Sequence, residues 1–340
     1  MSSQRPAGQA DSQVGVDRLS VEERSPRPPG GGGQADDPTE VPPRGWWQIV
    51  RRALRRFSDE QGTLIAAGVA YYGFMALVPT LIAVVLLYGL ISDPAQVQQQ
   101  VDSLSSALPD QAKGLVTERL TALSSTSSGG LGIGLVVSLL VALWSASGGV
   151  SALMTAVNDA YGEDDDRGFV RKKALALALT VGAILFFCLS VALIAVLPAV
   201  LGSRDLPAPA EWGLQGARWL LLLGAVALAL AVVYRVAPDR DAPRLQWLSV
   251  GAVVATVIWI LATLGFSLYV AQFSSYDKTY GPMAGVVVIL LWMWLSSIAV
   301  LLGATVNAEA ERQTAKDTTV GSERALGKRD AYAADTVAGQ

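Results

Sequence analysis

Histidine is missing from all 340 residues, and cysteine appears once, at Cys188. Without imidazole the chain cannot assemble the His-based zinc-water sites of hydrolases, a Ser-His nucleophile pair or an HExxH metal helix. A lone thiol can form no intrachain disulfide, and inside an apolar run it reads as a small packing residue. Charge is scarce as well: Asp, Glu, Lys and Arg make up 16% of the chain, and almost none falls inside the long apolar runs between Gly62 and Asn307. Transport coupled to protons or sodium usually leaves an ionisable group inside a helix bundle, so its absence from the runs points to uncharged polar groups instead. The first 42 residues also lack the short apolar core and small-residue cleavage site of a secretory signal, so the first run is expected to direct insertion.

What the chain does have is six blocks of apolar residues, at 62–91, 131–159, 174–201, 217–236, 245–273 and 283–306. Each meets the requirement of about 20 mainly apolar residues for a helix crossing roughly 30 Å of hydrocarbon. The fold class expected is all-α: a polytopic membrane protein built as a bundle of six transmembrane helices. Residues 1–43 and 313–340 are polar and read as disordered tails. From the first basic flank to the C-terminal tail, seventeen Lys and Arg residues lie on one side of the alternating connections and five on the other. By the positive-inside rule both termini are expected in the cytoplasm.

Residues 44–61 form a basic amphipathic pattern. Trp46, Ile49, Val50, Ala53, Leu54 and Phe57 recur at three- and four-residue spacing, with Arg51, Arg52, Arg55 and Arg56 on the other face. Such a helix lies in the membrane interface, apolar side in the acyl boundary and guanidinium groups among anionic headgroups. Trp46, Trp47 and the four arginines are therefore the expected surface anchor, and membrane lipids with anionic headgroups the expected partners. Nucleic acid is not expected, because the adjacent span ties this helix to the bilayer. The connection 92–130 reads as two short amphipathic helices split at Pro109, or as a solvated loop. Within the second run, Ser145 and Gly149, and separately Gly148, Ala152 and Ala156, follow small-x-x-x-small spacing, which favours close helix packing and leaves a homo-oligomer open. Pro79 removes a backbone hydrogen bond from the first run and is expected to kink it.

Five stretches in order point one way: Ala70-Tyr71-Tyr72 with Leu77-Val78-Pro79; Trp144-Ser145-Ala146-Ser147-Gly148-Gly149 running to Asn158-Asp159-Ala160-Tyr161-Gly162; Tyr234-Arg235-Val236-Ala237-Pro238; Tyr269 to Tyr280-Gly281; and Leu302-Gly303-Ala304 to Asn307-Ala308-Glu309. Over about 46–311 the chain resembles the YihY/BrkB family of bacterial inner-membrane proteins. The resemblance implies six transmembrane helices in a bacterial cytoplasmic membrane and no settled activity, since members have been labelled ribonuclease BN, serum-resistance factor and transporter. Two departures stand out: Ala76 replaces a serine common in the family, and Pro282-Met283 follows Tyr280-Gly281 in place of small polar residues.

A ribonuclease is disfavoured, because the one acidic run, Asp164 to Asp166, lacks histidine partners and reads as a solvated loop. No catalytic residue, cofactor or metal ligand is expected. The groups that could line a pathway, or else bond helix to helix, are Tyr71, Tyr72, Pro79, Trp144, Ser145, Ser147, Asn158, Tyr280, Gly281 and Asn307. Phenols and amides in lipid need partners, so these side chains are expected to face the bundle interior. The reading favoured is a protein that assists movement of a lipid-like or small amphipathic solute. The alternative is a membrane scaffold that recruits partners or organises anionic lipid.

Overall fold

A computed structural model of the chain describes residues 32–91, 131–201, 208–272 and 282–338. The six apolar blocks fold as α2 (Gly62–Ile91), α3 (Leu131–Tyr161), α4 (Phe169–Leu201), α5 (Ala208–Val236), α6 (Leu245–Gln272) and α7 (Pro282–Glu311), each long and apolar enough to span a bilayer. Helix α1 (Pro43–Asp59) precedes them and the single-turn α8 (Tyr332–Asp335) follows. At a rise of about 1.5 Å per residue, these helices outrun a hydrocarbon layer of roughly 30 Å, so their ends project beyond it. That is why α4 begins at Phe169 rather than 174: Arg171, Lys172 and Lys173 are good helix formers and carry the helix past the apolar block.

Helix α7 is the hub. It packs most extensively on α6, and also on α2, α3 and α1, while α2 pairs closely with α3 and α4 and α5 lie at the periphery. The α6–α7 contact depends on two glycines. A Cβ at Gly251 would strike the Gly303 carbonyl, and one at Gly303 would meet the Tyr234 hydroxyl and Ala255. Polar stitches fasten α7 to its neighbours: Tyr234 Oη of α5 donates to the Val300 carbonyl at 2.7 Å, and Trp259 Nε1 of α6 to Ser296 Oγ at 3.1 Å. Helix α2 runs through Pro79 without interruption. The proline leaves the Met75 carbonyl without its helical donor, and one residue on Thr80 Oγ1 bonds the Ala76 carbonyl at 2.7 Å.

One end of the bundle, here the base, gathers α1, the loops 162–168 and 237–244, and residues 312–338. Two expectations change there. Helix α1 spends part of its apolar face on protein: Ile49, Ala53 and Phe57 are buried, Ile49 and Ala53 in a cluster with Trp247, Val306 and Ala310. Protein burial takes that stripe, while Trp47, Val50 and Leu54 remain exposed and free to meet a membrane surface. Residues 313–338 are not disordered but folded against the base. Buried Arg329 donates to the carbonyls of Ala315, Lys316, Arg324 and Ala334 at 2.7 to 3.2 Å, and Thr314 Oγ1 reaches Ala35 O at 2.8 Å. Composition signalled disorder because this segment buries little apolar surface; hydrogen bonds to main-chain carbonyls order it instead. The connection 92–130, with its expected helix pair, lies outside the described residues.

Candidate functional site

A groove of about 450 Å³ runs along the outer face of the α2–α3 pair. Ile65, Gly68, Val69 and Tyr72 form one wall, and Gly148, Ser151, Ala152, Thr155, Ala156 and Asp159 the other. Its width comes from its glycines, since a Cβ on Gly68 or Gly148 would meet nothing within 4 Å. One residue along, Gly149 does the reverse. Its added Cβ would lie 3.0 Å from Ala76 and 3.2 Å from Gly73, so Gly149 sets the close approach of α3 to α2 while Gly148 keeps the groove open. The small-residue stripe of Gly148, Ala152 and Ala156 thus lines the groove, with Ala156 at its floor also part of the packed core.

Each groove hydroxyl on α3 is committed. Thr155 Oγ1 donates to Ser151 O at 3.1 Å, and Ser151 Oγ to Ser147 O at 2.8 Å. Ser145 and Ser147 donate to Val141 and Trp144 carbonyls in the same manner. This back-bonding satisfies the protons within the helix and turns the oxygen lone pairs outward.

The interior placement expected for the polar candidates holds for some and fails for others. Ser147, Asn158 and Asn307 are buried. Tyr71, Tyr72 and Trp144 are half exposed on the outer surface, Ser145 is exposed, and the two tyrosine rings meet edge-on at 5.6 Å. The reason is the tight α2–α3 contact through Gly73, Ala76 and Gly149, which leaves no room for rings between the helices. Lys173 is a further difference. Its ammonium extends from α4 to the Trp144 carbonyl at 3.1 Å and sits 4.3 Å from the indole centroid, so a cation enters an apolar run that reads as charge-free. Tyr280 and Gly281 lie outside the described residues.

Asn158 and Asn307 act as stitches. Asn307 Oδ1 accepts the Gly251 N–H at 2.6 Å and its Nδ2 donates to Leu248 O, tying α7 to the start of α6. Asn158 Oδ1 accepts the Asp239 N–H at 2.8 Å, fixing the loop after α5 to the end of α3.

Sequence reading missed the charged base around them. Arg240, with its side chain fully buried, forms a forked pair with Glu311 at 2.6 and 3.2 Å, stacks over Tyr161 and lies 3.8 Å from Glu163. Glu163 Oε1 accepts the Tyr332 N–H at 2.8 Å; burial drives its carboxyl up to about 7, partly opposed by Arg240. Glu309, almost fully buried, receives Arg52 at 2.8 Å and Arg312 at 2.7 Å, with Arg56 at 3.6 Å. These side chains border a second cavity of about 350 Å³, lined by Arg52, Arg55, Arg56, Asp59, Glu60, Glu309, Arg312 and Tyr332. Arg52 and Arg56 therefore turn toward protein, whereas Arg51 and Arg55 stay exposed. The acidic run is divided too. Asp165 is half-buried and binds Arg167 at 2.7 Å and Lys172 at 2.8 Å; these partners outweigh desolvation and hold its carboxyl down to about 2. Asp164 and Asp166 face solvent. The signal available in advance was the pairing of opposite charges just beyond successive span ends.

Six apolar helices around a charged base, with a groove on the outer face, define a multi-pass membrane protein. The chain belongs to the family described as Virulence factor BrkB, whose model matches residues 53–326. It is 28% identical over 265 residues to a ribonuclease-like protein of Bacillus subtilis (strain 168), YfkH, covering 76% of this chain and 94% of that one. It is 30% identical over 256 residues to a UPF0761 membrane protein of Alteromonas mediterranea, covering 74% and 83%. A UPF0761 membrane protein of Rhodospirillum centenum is 24% identical over 296 residues, covering 82% of this chain but only 61% of its own length. No solved structure matches the chain.

Proposed function

We propose that this protein assists the movement of a lipid-like or small amphipathic solute across or within the bacterial cytoplasmic membrane, with the base facing the cytoplasm. The observation that carries the reading is the α2–α3 groove, an open slot with hydroxyl, phenol and carboxylate groups on an otherwise apolar outer face. Polar atoms exposed at that depth are costly unless something that also carries polar atoms occupies them. The ribonuclease-like name of the Bacillus relative is not carried over, because a chain without histidine lacks the usual acid-base and metal partners of that chemistry.

Flux of acyl-labelled lipids in proteoliposomes tests the proposal. The wild-type chain should speed redistribution between leaflets above that of protein-free vesicles. Gly148→Leu should remove most of that gain without unfolding the chain, because the new side chain enters the empty groove. Equal flux in vesicles with and without protein overturns the reading.

One observation favours the alternative, a scaffold that gathers anionic lipid. The basal cavity presents four guanidinium groups against three carboxylates, and Arg56 Nη1 and Arg312 Nε are buried there without a hydrogen-bond partner among the described residues. A protein that moves no lipid yet enriches anionic lipid around itself would fit that function.

A further inference from the structure

We infer that the α2–α3 groove selects amphiphiles whose head carries an ammonium group, which Asp159 receives at the basal mouth together with the hydroxyl oxygen of Thr155 one helical turn away. The inference rests on the groove being a solute site, as proposed above, and adds the chemistry of the solute. Three observations combine.

First, the Ser151 and Thr155 protons are already given to the carbonyls of Ser147 and Ser151, so that both side chains offer lone pairs and no donor. Second, Asp159 is the one formal charge lining the groove, is exposed, and makes no side-chain hydrogen bond or ion pair among the described residues. Arg56 is the nearby cation, but it reaches the Asp159 backbone carbonyl at 3.5 Å and is engaged by Glu60 at 2.8 Å and Glu309 at 3.6 Å. Third, half-exposed Tyr72 adds an aromatic face, and α3 already holds an ammonium in this way where Lys173 lies on Trp144. A phosphate or carboxylate head without a cation would meet only like charge and lone pairs. An ammonium would meet a carboxylate and one acceptor a turn away, with the Ser151 oxygen and the Tyr72 ring farther along the groove for the rest of the solute.

The test uses the full-length chain in vesicles with acyl-labelled phosphatidylethanolamine or acyl-labelled phosphatidylglycerol at equal mole fraction. In parallel, native mass spectrometry reads which lipid stays bound after extraction from an equimolar mixture. The ethanolamine lipid should be retained over the glycerol lipid at least about fivefold, the worth of one partly exposed ion pair. Asp159→Asn should bring that ratio near one, and Thr155→Val should lower it by a smaller factor. A wild-type ratio near one, or a preference that survives Asp159→Asn, overturns the inference even if both lipids move. Selective retention lost in Asp159→Asn, but with no flux of either lipid, sustains the inference and removes the transport reading. Cross-linking between copies through Gly148→Cys in a Cys188→Ala background, with no lipid retained, would show that a second copy fills the groove and would also overturn it.

Discussion

At the scale of single residues, Glu163 links the base to pH near neutrality. It faces Arg240 and the Tyr332 amide, with Glu311 and Asp330 adding negative charge, and burial raises its carboxyl from 4.5 to about 7. A raised folded-state value means the folded chain binds the proton more tightly than the unfolded one. The stability from this group is thus fully present below 4.5 and is lost as pH rises through about 7. Glu163→Gln should leave the melting temperature almost unchanged at pH 4.5, raise it by about 2–4 °C at pH 8, and flatten the slope between. Melting curves of the two proteins across that range measure it, and an unchanged slope would remove Glu163 from the account. Asp165 acts with the opposite sign, stabilising above the ordinary carboxylate range and losing that contribution only as pH falls toward about 2. Neither role could be read from sequence, since both depend on which basic side chain the fold brings alongside.

At the scale of elements, α1 is fastened by charge as well as by its buried stripe. Glu309 on α7 receives Arg52 and Arg56 from α1 and Arg312 from its own chain end. Removing that carboxylate leaves three guanidinium groups facing one another, so Glu309→Gln should cost on the order of 2–3 kcal/mol, below the fully buried range because Arg52 and Arg312 keep contact with water. The expected readout is faster tryptic cleavage between Arg51 and Arg56, with the spans still protected; unchanged cleavage would mean the apolar stripe alone secures α1. Existence of the spans was legible because a run of some twenty apolar residues is a local property. Their rotation was not. A helix apolar on all sides has no period to mark its inner face, and lipid is as apolar as the core. Tyr71, Tyr72 and Trp144 accordingly lie outward, against the inward expectation for polar aromatics, whereas the small residues Gly73, Ala76 and Gly149 hold the contact.

At the scale of the whole molecule, the protein is a helix bundle closed at one end by polar structure. Residues 313–338 supply much of that closure: Thr318 bonds Glu311 at 2.9 Å, Tyr332 bonds Glu163, and the Ala338 amide returns to Arg312 O at 2.8 Å. A chain ending at Arg312 should still insert and keep its far-ultraviolet helix signal, but melt several degrees lower, because buried Glu311 and Arg240 would then meet water. Circular dichroism with a melting curve on the truncated chain decides this, and an unaltered melting temperature would show the segment to be a passive cover. The family and the six-span architecture were legible in the sequence, whereas the folded base was hidden by its polar composition. The slot beside Gly148 carries a last consequence. Since it opens sideways, a guest would arrive by two-dimensional diffusion among its lipid neighbours, and diluting the vesicles with buffer would leave occupancy unchanged while diluting the guest with other lipids would lower it.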